Sequence, residues 1–266
     1  MIALNLANLL TQLTCSLSME NFRMSTALVV PCFNEVHRLD SENWKLVAAL
    51  PGIQLIFVND GSTDDTEKVL REICDESGAR YVHLPSNHGK AEAVRLGMLA
   101  AFLDSEPYTF VGFIDSDGAF SSTEIERMTA ICHQRTSSPY GFDCVWSSRI
   151  VLAGRMVKRT KTRYFLGRIV ALLVTSRISD CPYDTQSGFK IWVMSTELRQ
   201  TIQQPFETRW LFEIEIMKRW QNIHHRKLRI WEEPLEFWQD VSGSKIGLKE
   251  SFRIVKEIIK IRRLNR

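Results

Sequence analysis

The alternation of short apolar runs with longer helical patterns is the feature that most constrains the fold of the first 150 residues. Runs rich in β-branched and aromatic residues predict strands, and polar, glycine or proline residues bound them. The predicted strands are ALVVPCF, IQLIFVND, ARYVHL, YTFVGFID and DCVWSS. Because helical segments long enough for a crossover separate them, we expect right-handed βαβ units and a mostly parallel sheet flanked by helices. After about residue 150 the alternation breaks down.

The bulk composition is typical of a globular protein with one large α/β domain. The chain has 266 residues, of which 44% are hydrophobic and 24% are charged. A net charge of only +3 gives no reason to expect a nucleic-acid partner. The six cysteines are scattered without a CxxC pair, which disfavours a zinc site or a disulfide framework and favours the cytoplasm.

Both ends of the chain differ from the domain, which we place at residues 25–248. Residues 1–24 lack a basic start and are too polar for a signal peptide or a membrane-spanning helix, so we expect a loosely ordered leader. Residues 249–266 carry an apolar stripe surrounded by lysine and arginine, which predicts a basic amphipathic helix. Such a helix either lies on a membrane surface or packs its stripe on the domain. We expect peripheral attachment to the cytoplasmic face of a membrane.

Polar and acidic residues follow three of the predicted strands. The segments are FNE, NDGSTD and DSDG, and each lies at or just past a strand end. In open α/β sheets ligands bind outside the carboxyl ends of the strands, so we expect the three loops to meet along one crevice. The chain has neither GxGxxG after the first strand nor GxxxxGK[ST], and the first loop carries Glu35 instead of glycine. Dinucleotide-binding and P-loop folds are therefore disfavoured.

The pair Asp115 and Asp117 in FVGFIDSDGAF has three interpretations. It could be an acid/base pair, a metal clamp, or a polar turn at Asp117–Gly118. In extended backbone, alternate side chains share a face, so both carboxylates can reach one ion. Mg²⁺ typically takes one or two carboxylates together with substrate phosphates, which suits a bound diphosphate.

Several motifs occur together in a fixed order. They are VVPCFNE, LIFVNDGSTDDT, NHGKAEAVRLGMLAA, GFIDSDGAFSSTEI, SSR, DTQSGFKIW and the late GSK. As a set, covering about residues 27–248, they resemble the family 2 glycosyltransferases of the GT-A fold. Within that family the chain is most similar to the dolichyl-phosphate β-glucosyltransferase and polyprenyl-phosphate sugar synthase branch. The resemblance implies a single α/β domain with a Rossmann-like, mostly parallel sheet.

The resemblance also implies roles for individual residues. The implied nucleotide-binding residues are Pro31, Phe33, Asn34, Glu35, Asp60, Lys90, Asp115 and Ser116. The implied metal ligands for Mg²⁺ or Mn²⁺ are Asp115 and Asp117, with Asp117 also catalytic through the diphosphate. The implied sugar-binding residues are Asp184, Gln186 and Ser187. Ala119 stands where similar polyprenyl-phosphate mannose synthases carry a glutamine ligand, so water and substrate oxygens would complete the metal shell.

Some of these residues have an alternative interpretation. Asp60 would hydrogen-bond the base, or it would cap the next helix. Lys90 would neutralise a phosphate, or it would be an exposed lysine of a first helical turn. The basic run after the fifth strand would be a solvated face, or Arg149, Arg159 and Arg163 would serve the donor and acceptor phosphates as catalytic residues.

The acceptor is predicted from what the second half of the chain lacks. Many family members that transfer to hydroxyls carry a base in an ED pair on a late helix, where this chain has FETRW and FEIEI. An acceptor phosphate is already anionic and needs no base. We therefore predict a polyprenyl or dolichyl phosphate as the acceptor. The resemblance implies the rest of the reaction, a metal-dependent, inverting transfer of a hexose from a nucleoside-diphosphate sugar, with UDP-glucose favoured. The alternative is a soluble family 2 enzyme that acts on a glycan or lipopolysaccharide hydroxyl.

Overall fold

A computed structural model describes residues 25–105, 107–136, 139, 141–158, 181–239, 257 and 260. The predicted leader at 1–24, Arg159, Arg163 and most of the predicted helix at 249–266 lie outside the described residues. Within the described part of the chain, no helix has the length and apolar character needed to cross a membrane.

A seven-stranded sheet forms the centre of the domain, in the order β3-β2-β1-β4-β7-β5-β8. Its strands are β1 (Thr26–Cys32), β2 (Ile53–Asp60), β3 (Arg80–Leu84), β4 (Phe110–Ile114), β5 (Cys144–Ser148), β7 (Phe189–Val193) and β8 (Ile230–Pro234). A separate parallel pair joins β6 (Met156–Lys158) to β9 (Phe237–Gln239). In the main sheet β7 runs antiparallel to both of its neighbours and all other pairs are parallel. The prediction of a mostly parallel sheet is confirmed.

Helices cover both faces of the sheet and make a three-layer domain. They are α1 (Ser41–Ala48), α2 (Thr66–Ser77), α3 (Lys90–Ala101), α4 (Ser122–Thr136), α5 (Thr196–Ile202) and α6 (Phe212–His224). One core cluster joins the sheet to α1, α2 and α4, and the other joins it to α3, α5 and α6. This arrangement leaves the loops after the parallel strands uncovered at one edge of the sheet.

Local signals begin and end several of these helices. The Asp40 carboxylate accepts a hydrogen bond from the Asn43 N–H (3.0 Å) and caps α1. Gly78 ends α2 with φ of 72°, a left-handed conformation in which glycine avoids a Cβ clash. The Ser121 hydroxyl accepts from the Glu124 N–H (3.3 Å) at the start of α4.

Strand β7 lies where the sequence alternation breaks down. The first half of DTQSGFKIW contains the three implied sugar-binding residues, and its second half is this buried strand. Phe189 and Ile191 belong to one core cluster and Trp192 to the other. Because β7 sits between β4 and β5, the loop that precedes it lies beside the ends of both strands.

Close packing of α3 on the sheet generates a prediction about stability. A Cβ on Gly97 would overlap the Val29 side chain and would lie 2.9 Å from Val58 Cγ2. We expect Gly97→Ala to lower the free energy of unfolding by about 1 to 3 kcal/mol, because the overpacked core must shift. Denaturant titration measures the loss. Val29→Ala removes the overlapping atoms, so the double variant should lose less stability than the sum of the two single variants; strict additivity would contradict this account.

Candidate active site

The crevice is built from loops at the carboxyl ends of β1, β2 and β4. These strands run parallel and are paired in the order β2-β1-β4, so the loops after them open at the same edge. Glu35 follows β1, Asp60 ends β2, and Asp115 follows β4. The prediction that the three polar segments meet along one crevice agrees with this topology.

Carboxylates and cations alternate in the middle of the crevice. Lys90 Nζ lies 2.6 Å from Asp115 Oδ1, and Arg38 Nη1 lies 3.9 Å from Asp117 Oδ2. Burial and the neighbouring charge of Asp115 raise the pKa of Asp117 above the usual range of aspartate. Burial lowers the pKa of Lys90, but the carboxylates of Asp115 and Glu213 outweigh it and leave that pKa raised. Lys90 is therefore a charged partner of the carboxylate pair.

Arg38 is a crevice residue that the sequence patterns did not single out. Its guanidinium donates to both oxygens of Glu35, at 2.6 Å from Nε to Oε2 and 2.5 Å from Nη2 to Oε1. Glu35 is buried, and its backbone N–H donates to Thr66 Oγ1 at 2.8 Å. This bidentate pair directs Arg38 toward Asp117. The only sequence signal was an arginine three residues after the glutamate.

The loop after β1 is held to the loop after β2. Asn34 has φ of 52°, and its Oδ1 accepts from the Thr63 N–H at 2.8 Å. The Asn34 N–H donates to Ser62 Oγ at 3.1 Å. Pro31 lies inside β1, half-buried, and Phe33 is half-buried just after it. These hydrogen bonds fix the loop at the edge of the crevice. Nucleotide binding by its residues stays a prediction.

Asp60 makes contacts that neither interpretation of the sequence anticipated. Its two carboxylate oxygens accept hydrogen bonds from the backbone N–H groups of His88 and Gly89, both at 2.8 Å. The side chain is buried, and burial raises its pKa despite these two bonds. Asp60 thus holds the start of α3, whereas Asp64 accepts a hydrogen bond from the Thr66 N–H (3.0 Å) at the start of α2. A contact of Asp60 with a base stays a prediction.

The predicted sugar-binding segment is held by internal bonds. Asp184 binds the Arg149 guanidinium in a bidentate pair, with Nε–Oδ2 at 2.7 Å and Nη2–Oδ1 at 2.8 Å. Glu232 in β8 accepts from the backbone N–H groups of Tyr183 (2.7 Å) and Asp184 (2.8 Å). Arg149 therefore neutralises Asp184, and its predicted contact with substrate phosphates would compete with this pair.

The other two predicted sugar-binding residues differ in exposure. Ser187 is fully buried, and its hydroxyl shares a short hydrogen bond with the Ser147 hydroxyl. Gln186 is half-buried and donates from Nε2 to the Thr185 carbonyl at 3.3 Å. Ser116, predicted to bind nucleotide, is buried beside the Cys32 thiol. Of these three, Gln186 has the most accessible side chain.

Lys190 binds the same segment from the interior of the domain. It is fully buried, and its Nζ donates to the carbonyls of Thr185 (3.3 Å) and Ser187 (2.6 Å) and to Glu213 Oε1 (3.0 Å). Burial lowers the pKa of Lys190, and the Glu213 carboxylate opposes that effect. One lysine of β7 thereby ties α6 to the loop that approaches Asp115.

Gly188 brings that loop against the Asp115 carboxylate. The Asp115 N–H donates to the Gly188 carbonyl at 2.9 Å. A Cβ on Gly188 would overlap Asp115 Oδ2 and would lie 2.5 Å from Asp115 Cγ. Any other residue at this position would push the Asp115 carboxylate aside, so Gly188 is a site residue that the sequence motifs contained but did not reveal.

The carboxylate pair fits a divalent cation. Hard cations take oxygen ligands, and burial together with the charge of Asp115 raises the pKa of Asp117, so a cation bound by both carboxylates would relieve their repulsion. Both side chains are partly exposed, at 34% for Asp115 and 27% for Asp117. Among the residues that the structure describes, no group of three or more His, Cys, Asp and Glu is placed to hold a metal. Water and substrate oxygens would have to supply the remaining ligands.

Comparison with known proteins decides the family. Residues 27–142 match the family model described as "Glycosyl transferase family 2". This segment is a family 2 glycosyltransferase domain. It contains the first-strand loop, Asp60, Lys90 and both aspartates of the carboxylate pair, so the predicted family is confirmed on the segment that carries most of the crevice.

Curated relatives extend the similarity over most of the chain. The dolichyl-phosphate β-glucosyltransferase of Dictyostelium discoideum is 28% identical and covers 89% of this chain and 73% of its own. The enzyme of the same name from Saccharomyces cerevisiae is 27% identical with the same coverage. The human one is 27% identical and covers 83% of this chain and 69% of its own. The predicted branch and the assignment as a hexosyltransferase enzyme are confirmed.

Solved structures show the same fold. Glucosyl-3-phosphoglycerate synthase from Mycobacterium tuberculosis, with Mn²⁺, UDP and glucosyl-3-phosphoglycerate, superposes with a TM-score of 0.62 at 20% identity. It covers 90% of this chain and 78% of its own. A second complex of that enzyme, with Mn²⁺, UDP-glucose and phosphoglyceric acid, gives 0.62 at 19% identity with the same coverage. The predicted GT-A fold of this glycosyltransferase is confirmed, and these neighbours were crystallised with a divalent metal.

The contact between Gly188 and Asp115 yields a prediction about activity. We expect Gly188→Ala to displace the Asp115 carboxylate and lower glycosyl transfer by about a hundredfold, because the resemblance implies a metal ligand at Asp115 and losing the support of such a ligand costs roughly that factor. Transfer rates measured against Asp115→Ala test this. If the two changes act on the same group, the double variant is no slower than Asp115→Ala alone, and it is more stable to heat than Gly188→Ala. Normal transfer by Gly188→Ala would contradict the prediction.

Proposed function

We propose that this glycosyltransferase moves glucose from UDP-glucose to a polyprenyl or dolichyl phosphate in a metal-dependent, inverting reaction. The observation that carries the proposal is the cluster in which Lys90 and Arg38 meet Asp115 and Asp117 beside the nucleotide loops. The glucosyl group and the lipid acceptor are supported by the names of the curated relatives. The uridine nucleotide and the metal are supported by the complexes of the structural neighbours.

The proposed reaction needs the leaving diphosphate to be stabilised. An acceptor phosphate oxygen forms the new bond to the sugar C1 from the opposite face, and the C1–O bond to the diphosphate breaks. A Mg²⁺ or Mn²⁺ ion held by Asp115 and Asp117 would offset the charge of the departing diphosphate. Lys90 and Arg38 lie close enough to the carboxylate pair to share that charge, and their fixed positions keep reorganisation small.

The environment of the late helix favours an acceptor that needs no base. Glu213 Oε1 is bound to buried Lys190, and its Oε2 is also buried. Glu215 is fully buried, accepts from the N–H groups of Glu207 and Thr208, and pairs with Arg219. Neither carboxylate of FEIEI is open to take a proton from an acceptor hydroxyl. A phosphate acceptor removes that need.

Transfer assays with the purified full chain test the proposed function. UDP-[¹⁴C]glucose and polyprenyl phosphate with Mn²⁺ or Mg²⁺ should give a labelled lipid, and chelation should abolish it until metal is added back. Asp115→Asn and Asp117→Asn should each lose most of the transfer, since each removes a charged ligand. Asp75→Asn, on the exposed face of α2, changes charge equally and should stay active.

Two outcomes would contradict the proposed function. Label that appears on glycan hydroxyls and not on polyprenyl phosphate would favour the alternative acceptor. Equal transfer with and without chelator would remove the metal from the proposal. GDP-mannose and UDP-galactose in parallel reactions test the donor, and a preference for either over UDP-glucose would change the predicted sugar.

The location belongs to the same proposal. A lipid phosphate acceptor lies at a membrane, so we place the enzyme peripherally on a cytoplasmic membrane face, attached through basic groups such as those of residues 249–266. The full chain should sediment with vesicles containing about 30% phosphatidylserine at low salt and be released at high salt. Vesicles of neutral lipid are the control. Protein that stays in the supernatant with both vesicle types would contradict peripheral attachment.

A further inference from the structure

A carboxylate from the C-terminal end of the chain caps the loop before α6. Glu257 Oε1 accepts from the Arg209 N–H (2.8 Å), and Oε2 accepts from the N–H groups of Trp210 (3.0 Å) and Leu211 (3.1 Å). Glu257 is 7% exposed. Successive N–H groups at the positive end of a helix dipole bind an anion well, so this contact fixes the loop to a residue far away in sequence.

The same loop is held on its other side. Glu215 of α6 accepts from the N–H groups of Glu207 and Thr208 at 3.0 and 2.9 Å. Lys260 Nζ donates to the Glu207 carbonyl at 3.0 Å, from the exposed side. Residues 207–211 thus have little freedom, and their geometry depends in part on Glu257.

The side chain that this loop presents to the crevice is Arg209. Its Nε would lie 3.2 Å from a Cβ built on Gly89, so the side chain crosses directly over the start of α3. Gly89 donates its N–H to Asp60, and the charge of Arg209 lowers the pKa of Asp60 against the larger effect of burial. The next residue, Lys90, contacts Asp115. Arg209 is exposed and forms no ion pair with any described side chain.

We propose that Arg209 binds a phosphate group of a substrate, and that Glu257 is the positioning residue that keeps it at the crevice. The inference rests on the proposed function, because it takes the crevice as the place where substrate phosphates bind. A guanidinium offers a planar fork that matches phosphate oxygens, and the N-terminus of α3 beneath it adds positive potential. The phosphate belongs either to the donor diphosphate or to the acceptor lipid.

Variants of both residues test the inference. We expect Arg209→Ala to raise the Kd for UDP, measured by calorimetry without acceptor, or the KM for polyprenyl phosphate, by about ten- to hundredfold. The first result assigns the donor phosphate and the second the acceptor. Arg209→Lys should recover part of the loss because it keeps the charge without the fork. Glu257→Gln should raise the same constant while kcat changes less than twofold.

The double variant separates positioning from general stability. If Glu257 acts through Arg209, then Glu257→Gln adds nothing to the constant once Arg209 is alanine, although it still lowers the thermal midpoint. Arg199→Ala, on the exposed face of α5, is the control, since it removes one positive charge that makes none of these contacts and should leave both constants unchanged. Wild-type protein that binds neither UDP nor polyprenyl phosphate overturns the proposed function itself. Wild-type binding that Arg209→Ala leaves unaltered overturns this inference alone.

Discussion

The placement of the Asp115 carboxylate is the constraint on which the rest of the crevice depends. Three separate elements converge on it: the ammonium of Lys90 from α3, the close approach of Gly188 before β7, and the neighbouring charge of Asp117. A half-buried carboxylate pair is stable only where cations compensate it, as Lys90 does beside Asp115 and Arg38 beside Asp117. The sheet order β1-β4-β7 brings these groups together.

Many carboxylates around the crevice are bound to other groups of the protein. Asp184 is bound to Arg149, Glu213 to Lys190, Glu35 to Arg38, and Asp60 to the backbone at the start of α3. Each pair fixes a loop that would otherwise be free to move. A site that works by positioning and electrostatics needs such rigidity, because its groups must already face the developing charge. Residues that motifs mark as binding groups can therefore act by holding the groups that bind.

The sequence predicts the parts of this architecture that depend on local pattern. Strand ends at Asp60 and Asp115 follow from apolar runs that stop at polar residues, and the parallel sheet follows from helical crossovers. The antiparallel position of β7 between β4 and β5 does not follow from local pattern. Its five residues are too few to show a clear alternation, and the strands that it pairs with are distant in sequence. The roles of Arg38 and Gly188 cannot be predicted from local pattern either. They arise only when the fold brings together the loops after β1 and β4 and the loop before β7.

In the C-terminal segment, the hydrophobicity pattern does not mark the described residue that contacts the domain. Its apolar stripe and the basic residues around it offered two interpretations, a membrane surface or the domain, and neither gave a role to an acidic residue. The contact that the described residues show is made by a carboxylate, Glu257, because three backbone N–H groups before α6 require an acceptor. Docking through a buried carboxylate also leaves Lys260 on the exposed side. In this arrangement Glu257 stabilises the loop that carries Arg209 while Lys260 stays exposed.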